Sequence, residues 1–103
     1  MTLAEIDALI SKHSPYPLVR PATETKTHKR ARKGCSVITA AIGHRLPGGR
    51  WATISVAFST LELREARSEE LKRYMVTTRV QDAVRSMERY LSEAMRPTQA
   101  SAH

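Results

Sequence analysis

The sequence predicts an α+β domain: a short N-terminal helix, a two-stranded antiparallel β-ribbon, and one long or two shorter C-terminal helices. Three observations carry that expectation. A capping signature at Thr2-Leu3-Ala4-Glu5 opens an amphipathic run. Two period-two segments, Cys35–Gly43 and Trp51–Ser59, flank a Pro-Gly-Gly turn. From Val76 onward apolar residues recur in steps of four and three. The 103 residues are read as one domain over 1–96, with a basic arm at 20–34 and a disordered tail over 97–103.

In the first helix, the Thr2 hydroxyl and the Glu5 carboxylate are spaced to accept backbone N–H groups that the first turn leaves orphaned. Leu3, Ile6, Leu9 and Ile10 share one face, which predicts a helix from Leu3 to about Lys12. Ser14-Pro15-Tyr16-Pro17 ends it, because a residue before proline is pushed out of α geometry. From Arg20 to Gly34 there is almost no apolar material, and the segment is read as a loop or mobile arm.

In the ribbon, Ile38, Ala40 and Ile42 fall on one face of the first strand, and Ala52, Ile54, Val56 and Phe58 on one face of the second. Such alternation sets one face on a core and leaves the other for solvent or a partner. Leu46-Pro47-Gly48-Gly49 suits a tight turn, with proline presetting φ and glycine taking positive φ.

The C-terminal part has several possible helix starts. Ser59-Thr60-Leu61-Glu62 and Thr78-Arg79-Val80-Gln81 both match a capping box, and Ser68-Glu69-Glu70 offers another beginning. Val76, Val80, Ala83, Met87, Tyr90 and Ala94 form an apolar stripe that ends near Arg96-Pro97. The β-branched run around Val76-Thr77-Thr78 leaves open a division into helices of roughly 60–74 and 79–95. Glu69/Arg73, Arg85/Glu88 and Arg89/Glu93 are spaced to pair on the wet face. The stripe is wider than one small hairpin covers, so a homodimer through the C-terminal helix or the sheet is expected.

The functional signal is the distribution of charge. Between Thr25 and Leu61 there is no Asp or Glu, while Lys26, Lys29, Arg30, Arg32, Lys33, Arg45 and Arg50 all lie there. Those seven residues equal the whole formal net charge of +7, and the rest of the chain is balanced. A basic arm and hairpin tip on one projecting edge point to a polyanion, with Lys and Arg pairing phosphates and releasing counterions. The reading is a small basic nucleic-acid-binding protein, for DNA or RNA. Trp51 is ordinarily a core or edge-packing residue; its other use would be as a stacking surface beside Thr53 and Ser55. The alternative is an adaptor or inhibitor that docks on an acidic protein surface.

Other classes lack their chemistry. Cys35 is the single cysteine, with no His or Asp placed by sequence as a dyad partner. The histidines at 13, 28, 44 and 103 have no companions at metal-ligand spacing. Asp7, Glu62, Glu65 and Asp82 read as helix-surface or first-turn acids. No enzyme, cofactor or metal is therefore expected. The absence of a long apolar run or signal-like N-terminus predicts a soluble protein without membrane attachment, cytoplasmic or, in a eukaryotic host, nuclear.

The element order partly resembles two nucleic-acid-binding architectures. In a ribbon-helix-helix dimer a strand leads into two helices, as 53–59 and the C-terminal helices could do. Here the preceding strand and arm are extra, and the usual inter-helix glycine is missing at 74–77. A double-stranded-RNA-binding domain runs helix, three strands, helix. Here only two strands are read, and Ser68-Glu69-Glu70 replaces its lysine-rich last helix start. Neither supplies a specific motif, and the residues alone assign no family.

Overall fold

The computed structural model describes residues 1–26 and 36–94. Helix α1 (Leu3–His13) is followed by strands β1 (Leu18–Lys26), β2 (Ser36–Arg45) and β3 (Trp51–Ser59), then α2 (Thr60–Glu65) and α3 (Glu69–Ala94). The strands form one antiparallel sheet in the order β1-β2-β3. The α+β class stands, but the sheet has three strands where the sequence predicts two.

Strand β1 is the main correction. Residues 18–26, which include the start of the expected loop and arm, pair with β2, from Leu18 opposite Ile42 to Lys26 opposite Ser36. Two features hide this strand in the sequence. Register shifts between Leu18 and Arg20 and between Arg20 and Thr23 break its period-two pattern. It is also an edge strand in which Ala22 alone is buried among the described side chains, so backbone pairing holds it and Pro21 is tolerated. The remainder of the predicted arm, 27–35, and the predicted tail at 97–103 lie outside the described residues.

The helix starts follow the capping chemistry. Thr2 Oγ1 accepts the Glu5 N–H at 3.1 Å, and Ser14 N–H closes α1 on the Ile10 carbonyl at 2.9 Å. Ser59 caps α2, and Ser68 Oγ accepts the Leu71 N–H at 3.0 Å at the start of α3. The C-terminal part is thus two helices, with the break at Ala66–Ser68 rather than at Tyr74–Thr78. Thr78 does not cap: its hydroxyl donates to the Tyr74 carbonyl one turn back, at 2.9 Å. Burial of Val76 and Val80 outweighs the weak helix propensity of that β-branched run. On the wet face, Glu69 pairs with Lys72 at 3.3 Å and Arg85 with Asp82, each at i,i+3, instead of the predicted partners.

Helices α1 and α3 cover one face of the sheet. Ile6 and Ile10 of α1 and Val76, Val80 and Met87 of α3 are fully buried in one core with Ile42, Val56 and Phe58. Each such side chain contributes about 1.5–3 kcal/mol relative to exposure. The third strand widens the sheet, and α3 buries Val76, Val80, Ala83, Met87 and Leu91, leaving Tyr90 half exposed. Among the described residues no helix is long and apolar enough to cross a membrane.

Candidate nucleic-acid interface

The face of the sheet turned away from the helices is defined by register. Thr23 sits beside Thr39 and Ala57, Arg20 beside Ala41 and Ser55, and Arg45 beside Trp51. Arg20 reaches across the small Ala41, and its Nη2 donates to Ser55 Oγ at 3.3 Å, which explains why Ala41 is buried on this face. None of these positions is acidic. Nine of the ten carboxylates lie on the helices. The exception, Glu24, shares a register row with core residues Ile38 and Phe58 and accepts a hydrogen bond from Ser36 Oγ.

The hairpin between β2 and β3 is built by its glycines. Gly48 and Gly49 take φ of 90° and 86°, and the turn closes through Gly49 N–H to the Leu46 carbonyl at 3.1 Å. Leu46 N–H donates to the Arg50 carbonyl at 2.6 Å. Arg45 and Arg50 are exposed, and neither forms an ion pair among the described residues. The Arg45 guanidinium bends over the tip, its Nη2 3.7 Å from where a Cβ on Gly49 would stand. Beside the tip, Leu46, Pro47, Arg50 and Trp51 line an open cleft of about 450 Å³ together with Tyr90 and Ala94 of α3.

Of the seven predicted cations, Lys26, Arg45 and Arg50 are described, and they do not share one end of the sheet. Lys26 ends β1 opposite Ser36, the first residue of β2, whereas Arg45 is the last residue of β2. The ten residues of β2 separate them by roughly 30 Å. Lys29, Arg30, Arg32 and Lys33 belong to the β1–β2 connection and lie outside the described residues, as does Cys35. Lys26 on one side and Arg45 and Arg50 on the other therefore mark two ends of the sheet, with Arg20 between them on the open face.

Two residues of the site escape the sequence reading. Arg20 falls at the start of the expected loop, because the bulges conceal its strand. Tyr90 belongs to the predicted apolar stripe, yet it is 49% exposed while Met87 and Leu91 on the same helix are buried. Trp51 departs from the ordinary expectation for tryptophan and is 50% exposed. His44 packs edge-on against Tyr16, with ring centroids 5.8 Å apart. Asp7 is not a plain surface acid: its Oδ1 accepts the Ala22 N–H at 2.7 Å.

Among the described residues no group of His, Cys, Asp and Glu is arranged to hold a metal. No protein-family model, curated protein or solved structure matches the chain. The third strand removes one departure from the double-stranded-RNA-binding order. The short α2 and the acidic first turn of α3, with Glu69 and Glu70, remain departures from it.

Proposed function

We propose that this is a small, non-enzymatic nucleic-acid-binding protein that engages DNA or RNA chiefly through the phosphate backbone. The observation that carries the reading is the segregation of charge across the sheet. Acids are confined to the helix layer and to the row shared with core residues, while Arg20, Arg45 and hydroxyl side chains occupy the open face. A polyanion approaching that face meets cations at the hairpin tip and at Arg20, opposite Ala41 midway along β2, and no carboxylate. Lys26 ends β1 at the other end of the sheet, and in the sequence Lys29, Arg30, Arg32 and Lys33 follow it. The separation of Lys26 from the hairpin tip favours a ligand that runs along the sheet over one gripped at a single point.

The proposed assembly is a homodimer. Its interface is better sought at the outer edge of β3, which has no strand neighbour among the described residues, than along the stripe that α3 buries on its own sheet. The test of the function is fluorescence anisotropy with labelled single strands and duplexes of DNA and RNA over a salt series. Affinity falling steeply with salt is expected. A salt-independent affinity, or equal binding by a variant neutralised at Arg30, Arg32 and Lys33 together with Arg45 and Arg50, rejects the reading.

A further inference from the structure

Resting on the nucleic-acid reading, we infer that the cleft between the hairpin tip and the C-terminal end of α3 receives an unstacked base of a single-stranded nucleic acid. Trp51 and Tyr90 line this cleft from two different elements, and both rings are about half exposed, at 50% and 49%. Aromatic groups of that size are ordinarily buried further, and these two are among the six residues that line one recess. The cleft volume of about 450 Å³ lies within the range of pockets that take small ligands. Its lining contains no acid, and one of its six residues is Arg50. Arg45, the cross-strand neighbour of Trp51, brings a second guanidinium over the adjoining turn. An exposed tryptophan and an exposed tyrosine next to two guanidinium groups suit a base with its flanking phosphates. The base must be out of a duplex to enter, because paired bases present only their edges.

The glycine turn shapes the recess. Pro47 and the two positive-φ glycines turn the chain within a few residues, so Leu46 and Arg50 stand side by side at the mouth. A second copy of the chain or an acidic peptide is the competing occupant, and the measurement separates them.

Trp51 is the only tryptophan, so its emission reports the cleft directly. The full chain is titrated with oligodeoxythymidylate, with oligouridylate and with a mixed-sequence duplex. Trp51→Ala, Trp51→Phe and Tyr90→Ala variants are followed by anisotropy of the labelled strands, with circular dichroism to confirm folding. Single strands are expected to quench Trp51 more than the duplex does. Trp51→Ala is expected to weaken single-strand binding roughly 5- to 150-fold, the equivalent of one stacked base, with Trp51→Phe losing less. Salt-dependent binding with silent Trp51 emission and an unaffected Trp51→Ala variant overturns the cleft assignment and leaves the backbone-binding reading intact. No salt-dependent binding by any strand removes both. A change of Trp51 emission with protein concentration alone assigns the cleft to a second copy and overturns the inference.

Discussion

Asp7 of α1 accepts the backbone N–H of Ala22 at 2.7 Å, at the place where β1 leaves register with β2. A bulge turns a backbone donor away from its ladder partner, and a buried donor without an acceptor is costly. The helix supplies the acceptor that the neighbouring strand cannot. Asp7→Ala is therefore expected to destabilise the domain by about 1.5–3 kcal/mol in urea unfolding, the range for hydrogen bonds to charged groups. An unchanged urea midpoint would show that the bulge is held by other means.

At the hairpin tip the backbone alone sets the outcome. A Cβ added at Gly48 meets nothing within 4 Å, but φ there is +90°. Gly48→Ala should cost about 1–2 kcal/mol through conformation and not through contact. Thermal melts of Gly48→Ala and Gly48→Asn check this, with Asn expected to lose less because it tolerates left-handed geometry.

Met87 tests the core at the α3–sheet contact. It is fully buried, and Met87→Ala should cost about 2–5 kcal/mol. The exposed pair Arg79–Glu62, at 3.2 Å between α3 and α2, provides the contrast. Glu62→Gln is expected to change stability by less than about 1 kcal/mol. Comparable losses for the two substitutions would contradict the assignment of stability to the apolar layer.

On the proposed nucleic-acid reading, the two cationic ends of the sheet should make separable contributions to binding. Neutralising Arg45 and Arg50 together should flatten the slope of log affinity against log salt by about 1.4 for single strands or 1.8 for duplex DNA. An unaltered slope in this variant would place the phosphate contacts elsewhere on the molecule.

Subunit number follows from light scattering after size exclusion. The proposed dimer predicts twice the 11.6 kDa chain mass, and a charged substitution at Ala57, on the outer strand β3, should shift it toward monomer. A single-chain mass over the working concentration range rejects the dimer.

Local chemistry is legible where each residue acts on its near neighbours. Thr2, Ser59 and Ser68 cap the helices that their spacing announces, Pro47-Gly48-Gly49 turns the chain, and Ile38 through Ile42 and Ala52 through Phe58 alternate into the core. Of the candidate site, the sequence marks the cations but not their relative positions. Lys26 and Arg45 fall in one acid-free segment of chain, yet the antiparallel course of β2 puts them at opposite ends of the sheet.

By itself, then, the sequence determined the α+β class, the start of α1, the candidate caps of the C-terminal helices, the hairpin turn and the unequal distribution of charge, because these depend on capping, backbone sterics and composition within a few residues. Only the tertiary structure decided that Leu18–Lys26 is a strand, that Asp7 serves Ala22, that Arg20 lies on the open face, and that Trp51 and Tyr90 share a cleft. An edge strand held by backbone pairing leaves little trace in side-chain pattern. Trp51 and Tyr90, thirty-nine positions apart, come to line one cleft only once a sheet and a helix have packed.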